Sequence, residues 1–286
     1  WGLGNFTIGL VMGDTLVCTR RFDPEATLAT IERHRAHVLA AVPVMLQRIL
    51  DLPPEVCRRY DVSSLRLVPL SGSALPGDLA TRWMDQFGKN LYNLYGSTEI
   101  GYATVATPED LLAAPGTAGK PPAGTLVKIL DDDGEERPRG ESGRIFVHSD
   151  LLFDGYTGGG SKTMVDAMMS TGDTGYFDDN GRLFVEGRDD EMIVSGGENV
   201  FPREVEDLLS SRDDVVEAAV IGVTDERFGQ RLKAFVVRQP GATVTADELR
   251  AYVKDNLANF KVPRDIEFVD ELPRNATGKV VKREMQ

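Results

Sequence analysis

Apolar runs that alternate with helix-like stretches constrain the fold of this chain more than any other feature. Asp23-Pro24-Glu25 supplies an N-cap, a proline at the first helical position and an acidic first turn, and Leu28 and Ile31 then mark one face of a helix extending to Arg35. The run Val38-Leu-Ala-Ala-Val42 follows and reads as a buried strand. Arg66–Leu70 and Leu91–Leu94 repeat the pattern, with a helix over about Gly77–Phe87 between them. Strands alternating with helices predict a mostly parallel α/β sheet. Such sheets bind ligands beyond the carboxyl ends of their strands, where Ser71-Gly-Ser-Ala74 and Tyr95-Gly-Ser-Thr-Glu99 fall.

From about residue 117 the pattern shortens to alternating strands and tight turns: Leu126–Leu130, Asp133-Gly134, Gly143–His148, and the hairpin signal Asn180-Gly181 ahead of Arg182–Glu186. These predict a small β subdomain. Beyond Gly187 the charged run Arg188-Asp-Asp-Glu191 leads into a strand at Met192–Val194, the pair Gly196-Gly197, and a helix marked by Pro202, Val205, Leu208 and Leu209. Strands at Ala218–Gly222 and Leu232–Val237 and a helix over about Ala246–Leu257 complete a separate α+β domain. The expected division is a first domain over 1–188 (1–116 α/β, 117–188 β), a junction at 189–190, and a second domain over 191–286.

Composition narrows the function classes. The 286 residues, 41% of them hydrophobic, give ample material for two cores. A formal net charge of -13 argues against a nucleic-acid or anionic-membrane binder, which needs clustered Lys and Arg. Cys18 and Cys57 make no disulfide framework and no Cys-x-x-Cys or Cys/His ligand spacing, so a reducing cytoplasm is the expected compartment. No apolar run approaches the ~18 residues of a membrane span. The chain opens at Trp1-Gly-Leu-Gly, without Met and inside an apolar, Gly-spaced segment, which reads as an interior cut.

Several segments carry candidate chemistry. Tyr95–Glu99 ends a strand with an aromatic face, a permissive glycine, two hydroxyls and a carboxylate. These suit a nucleotide, with Tyr95 stacking on a base, Thr98 bonding a phosphate and Glu99 holding a hard cation; they equally suit a capped turn. Thr171-Gly-Asp173 offers a carboxylate on a turn, for ribose hydroxyls or as an Asx-turn. Arg188 is a fixed cation near the same ribose or a surface ion pair. Ser195-Gly-Gly-Glu-Asn199 either lets a slender ligand pass close to the backbone or is a plain turn. Lys279, in Pro273-Arg-Asn-Ala-Thr-Gly-Lys279-Val-Val-Lys282-Arg283, is by itself a solvated charge on a polar turn. Gly155–Thr163 has Ser161 where a phosphate loop requires Lys, and reads as a loop. His34 and His37 lack a third ligand, and no Ser/His/Asp set is visible.

The order of these fragments resembles a known family. Ser71–Leu75, Tyr95–Glu99, Gly143-Arg-Ile-Phe-Val with Gly155-Tyr156, Ser170–Asp173, Gly187–Asp190 through Ser195-Gly-Gly-Glu-Asn-Val-Phe-Pro-Arg-Glu-Val-Glu206, and Pro273 to Lys279 are similar to the successive motifs of the adenylate-forming enzymes. More narrowly they resemble an acyl-CoA synthetase of the fatty-acid–CoA ligase group. The resemblance covers essentially the whole chain. It implies part of a large domain, with a parallel α/β sheet and a β-barrel-like subdomain, followed by a small α+β lid. It also implies activation of a carboxylic acid with ATP and Mg²⁺ to an acyl-adenylate, then transfer to the thiol of CoA.

By motif, the resemblance puts Gly72, Ser73, Ala74 and Tyr95 at the adenine, Leu94 and Gly96 in the acyl pocket, and Gly96, Ser97 and Thr98 at the nucleotide, Thr98 on the α-phosphate. Glu99 would bind Mg²⁺, Asp173 the ribose hydroxyls with Arg188 in support, and Lys279 would catalyse the first step. Asp190 falls on the family hinge, and Ser195, Gly196, Gly197 and Glu198 on the loop that meets pantetheine. The family's phosphate loop lies upstream of the position matching Trp1, so the expectation is a C-terminal portion that forms no adenylate alone. Gly158-Gly-Gly160 stands where the family carries polar residues and proline. The alternatives are an aryl or other carboxylate–CoA ligase, a peptide-synthetase adenylation domain, a luciferase-like oxidase and a non-catalytic adenylate-binding module.

Overall fold

Helices α1 (Gly2–Met12) and α2 (Pro24–His34) open the computed structural model, which describes residues 2–275 and 280–285 and gives Asp190 and Asn199 by backbone alone. Asp23 caps α2, its Oδ1 accepting from the Ala26 N–H at 2.8 Å, and Arg35, left-handed at φ 46°, ends it. Helices α3 (Pro43–Leu50) and α4 (Pro54–Cys57) also start on proline. Strand β1 (Val68–Leu70) is joined through α5 (Gly77–Phe87) to the parallel strand β2 (Leu91–Ser97), and β3 (Gly101–Ala106) returns antiparallel. Helix α6 (Pro108–Ala113) follows behind a Thr107/Asp110 capping box. The expected strand at Val38–Val42 is reduced to isolated parallel bridges, Val38 with Leu67 and Ala41 with Leu70. Val42 already caps α3 and Pro43 is its first residue, which leaves too little extended chain for a ladder.

Next come β4 (Leu126–Leu130), β5 (Gly143–His148), β6 (Met164–Val165), β7 (Met168–Phe177) and β8 (Leu183–Arg188). Their sheet has the order β4-β5-β7-β6, with β8 also beside β7. Thr171-Gly-Asp173, expected on a turn, lies inside β7. Thr171 and Thr174 are buried there and the Thr174 hydroxyl donates to the Gly187 carbonyl at 3.4 Å, so strand pairing overrides the local turn preference of Gly and Asp.

A 3-10 turn at Asp189–Glu191 leads to the hairpin β9 (Ile193–Ser195) and β10 (Glu198–Val200), then α7 (Pro202–Ser210), β11 (Val215–Asp225), β12 (Gly229–Arg238), α8 (Ala246–Asn256) and β13 (Asp265–Phe268). The sheet order is β10-β9-β12-β11, with β13 parallel to β12. A last 3-10 turn spans Lys282–Met285.

The chain divides into two units. The first holds Trp1–Lys128, Phe146–Thr171 and Phe177–Phe184, and the second Ile129–Ile145, Gly172–Tyr176 and Val185–Gln286. In the first, fully buried Trp83 packs among Leu28, Leu46, Ile49, Leu70 and Leu91. Its indole N–H donates to Asn90 Oδ1 at 3.1 Å, and the Asn90 amide donates to the Leu65 and Phe87 carbonyls, so these buried polar groups are paired. Cys57 is buried and Cys18 exposed. In the second, Val205 and Leu209 of α7 and Leu249 and Val253 of α8 close over Val220, Leu232 and Val236. Among the described residues, no helix is long and apolar enough to cross a membrane.

Candidate active site

Strands β1 and β2 lie in register, Leu70 opposite Asn93, so the loops that follow them leave adjacent parallel strands at their carboxyl ends. Gly72, at φ 91°, is exposed together with Ser73 and Ala74, while Leu75 anchors the loop in the core. Leu94 and Tyr95 are half-buried opposite Val105 and Thr104 of β3. At Gly96 the β2–β3 register shifts. A Cβ there would fall 2.0 Å from the Gly101 carbonyl oxygen, so only glycine lets the two strands close. Beyond the bulge Ser97 and Thr98 reach the surface and Ile100 turns into the core.

Glu99 is fixed from several directions. Its carbonyl accepts the Phe153 N–H at 2.8 Å, its own N–H donates to Ser97 Oγ at 3.3 Å, and its Oε1 accepts the Tyr156 hydroxyl at 2.9 Å. Tyr156 is in turn braced edge-on by Phe153, with ring centroids 4.8 Å apart. Partial burial pushes the Glu99 carboxyl up, but the hydrogen bonds from Ser97 and Tyr156 and the charge of Lys162 outweigh it and hold the group below the usual carboxylate range. The result is an ionised carboxylate at the carboxyl end of β2.

In the second unit, Asp173 Oδ1 lies 3.6 Å from Arg188 Nη1. The guanidinium passes over Gly172, where a Cβ would meet Nη2 at 3.2 Å. With φ at 80°, residue 172 also takes a conformation that favours glycine. The pair presents an acceptor for hydroxyls beside a planar cation.

Ser195 pairs with Glu198 across a two-residue turn whose Gly196 and Gly197 have φ of 64° and 89°. Positive φ at both positions is the pattern of a type I′ hairpin, which accounts for the glycine pair. Ser195, Gly196 and Glu198 line a cavity of about 160 Å³ with Phe228, Phe260 and Arg264. The Arg264 guanidinium sits 4.1 Å from the Phe228 ring centroid. Lys279 lies outside the described residues, and Asp190 is described only as backbone of the 3-10 turn. Among the described residues, no group of three or more His, Cys, Asp or Glu side chains could hold a metal ion.

The model of the AMP-binding enzyme family matches residues 1–157, and that of the AMP-binding enzyme C-terminal domain matches residues 204–279. The chain belongs to the AMP-binding enzyme family. A feruloyl-CoA synthase of Amycolatopsis is 37% identical over 281 residues, spanning 97% of this chain and 57% of that protein. A long-chain-fatty-acid–CoA ligase of Haemophilus influenzae is 33% identical over 283 residues, spanning 98% and 50%. The solved o-succinylbenzoate CoA synthetase of Bacillus subtilis, in complex with its acyl-adenylate intermediate, matches with a TM-score of 0.88 at 32% identity, covering 100% of this chain and 58% of that one. The chain thus spans about half the length of the curated relatives it matches.

In this AMP-binding enzyme the Gly72–Ala74 loop and the Leu94–Glu99 segment follow paired parallel strands of one unit, and Asp173 meets Arg188 in the other. The sequence pattern marks Gly155-Tyr156 but gives no link from it to Glu99. The contact spans 57 positions, and no local spacing encodes it.

Proposed function

We propose that this chain works in an ATP-dependent acyl-CoA synthetase. In the first step a carboxylate oxygen of the acid attacks the α-phosphorus of ATP; the new acyl–oxygen–phosphorus link forms as the bond to the β-phosphate breaks and pyrophosphate leaves. In the second, the sulfur of CoA attacks the acyl carbon, AMP departs with its oxygen, and the thiol proton passes to solvent. The observation that carries this reading is the Glu99 carboxylate, held by Ser97 and Tyr156 just past the end of β2, the strand that runs parallel to β1 and its exposed Gly72–Ala74 loop.

Gathering anions around phosphorus makes positioned charge the main barrier-lowering device. Glu99 fits Mg²⁺, which takes few carboxylates and completes its shell with phosphate and water, and which would supply neutralisation of the phosphates. In this reading Gly72, Ser73, Ala74 and Tyr95 hold adenine, Thr98 meets the α-phosphate, Leu94 and Gly96 border the acyl group, and Asp173 and Arg188 take the ribose. Gly96, held by its bulge, and Ser97 complete the nucleotide contact. Lys279 supplies the second cation of the adenylation step. Residues 191–286 act as a lid turning about Asp190, so that after pyrophosphate leaves Lys279 withdraws and Ser195–Glu198 approach the thiol arm. The aromatic and arginine lining of the cavity beside Ser195 supports a role in holding CoA, with phosphates on Arg264.

Fatty acids are our finer reading of the substrate, in a cytoplasmic setting; aryl acids are the second reading, favoured by the feruloyl relative. The test uses the intact protein containing this chain, on a panel of aliphatic and aryl acids, scoring AMP and acyl-CoA. Equal AMP and acyl-CoA from aliphatic acids is expected. AMP without thioester would remove CoA from the reading, and neither product would leave an adenylate-binding module. Lys279→Ala should lose adenylation yet still form thioester from supplied acyl-adenylate; equal loss of both half-reactions would overturn its assignment.

A further inference from the structure

One half-buried cation of the second unit has no role in the site as described. Lys282 Nζ lies 2.9 Å from Glu191 Oε2 and 2.9 Å from Glu206 Oε1. Its side chain is 21% exposed, and that of Glu206 only 17%. Glu191 is the residue after Asp190, Glu206 sits on α7, and Lys282 begins the last 3-10 turn. We infer that Lys282 is a positioning residue which, by bridging Glu191 and Glu206, fastens the chain around Lys279 to the segment directly after Asp190. The inference rests on the reading of Asp190 as hinge and Lys279 as first-step catalyst.

The geometry supports a clamp rather than a surface pair. Glu206 is held independently, since its Oε1 accepts the Val220 N–H of β11 at 2.7 Å. Burial disfavours the Lys282 charge, but Glu206 and Glu191 outweigh it and raise the ammonium above its usual range, so the cation persists. Without it, a largely buried carboxylate would lose its counter-charge, a costly arrangement. Lysine suits the position because two carboxylates from different elements need a compact charge with rotatable donors.

The other side of the arm is fastened as well. Val281 N–H donates to the Pro273 carbonyl at 2.8 Å, Arg274 bridges to Val280, and the Arg274 guanidinium pairs with Glu217 of β11. Lys282 stands three positions after Lys279, a reach of about 10 Å at full extension. A rotation at residue 190 therefore carries residues 273–274 and 280–282 with it, so the chain leading to Lys279 starts from fixed ends.

The test compares Lys282→Met, Lys282→Arg and Lys279→Ala in the intact protein. Lys282→Met should lower kcat for adenylation about 10- to 100-fold, the scale of an ångström-level misplacement, with smaller changes in KM for ATP and acid. It should leave thioester formation from supplied acyl-adenylate unchanged, and Lys282→Arg should recover most of the loss. Normal adenylation by Lys282→Met, or equal loss in both half-reactions, overturns the inference. Full adenylation by Lys279→Ala would instead remove the reading beneath it. Should Lys282→Met fold poorly, Glu191→Gln is expected to lose adenylation in the same direction by a smaller factor, and normal adenylation by it overturns the clamp. In the 286-residue chain, hydrogen exchange at the Val281 amide should quicken in Lys282→Met while α8 is unaffected; unchanged protection there also overturns it.

Discussion

Tyr156 and Glu99 illustrate how a single hydroxyl, alongside Ser97 and Lys162, shifts the titration of a candidate metal ligand. A carboxyl whose folded pKa is depressed adds stability at pH above its unfolded value, and that contribution is lost as pH falls through the folded pKa. Tyr156 donates to the ionised form, so Tyr156→Phe should raise the Glu99 pKa and move the acid loss to higher pH. The phenyl ring keeps its edge contact with Phe153, which isolates the hydrogen bond as the variable. A carbon-detected NMR titration of Glu99 in both proteins measures the shift, and coincident midpoints would contradict the argument. Arg188 poses the complementary case. Its position over Gly172 depends on an absent side chain, so the residue that shapes this pair carries no charge itself.

Short helices depend on their caps more than on their own propensity. Helix α6 has six residues, and its Thr107/Asp110 box satisfies backbone donors at both ends of the turn, Asp110 N–H to Thr107 Oγ1 at 3.3 Å and Thr107 N–H to Asp110 Oδ2 at 3.2 Å. Thr107→Ala should cost about 1 kcal/mol in urea unfolding of the first unit. A change below about 0.3 kcal/mol, well under the usual cap cost, would mean that buried Leu111 alone holds the turn. Elements with local signals of this kind were legible in advance. Asp23 and Pro24 announce α2, and α5 covers the expected Gly77–Phe87. Strands β3 and β7 were not, because β3 is extended by pairing back onto β2 past the Gly96 bulge, and Gly-Asp inside β7 argues locally for a turn. The same division applies to the site. Loops after β1 and β2 could be located from strand ends, whereas the Tyr156–Glu99 and Lys282–Glu206 contacts arise only when separated segments fold together.

At the scale of the molecule, two hydrophobic clusters have no member in common, one built around Trp83 and one around Val205, Leu209 and Val236. Each unit therefore has its own core, and heat should unfold the chain in more than one cooperative step. Calorimetry should give a van't Hoff enthalpy below the calorimetric one, and equality would indicate a single cooperative body. The placement of Trp83 has an optical consequence. Trp83 lies in the core of the first unit and the second unit has no tryptophan. Indole emission thus watches one half of the protein while circular dichroism watches both. The wild-type chain carries its own spectroscopic contrast, and the melting of its two halves can be separated without attaching a dye.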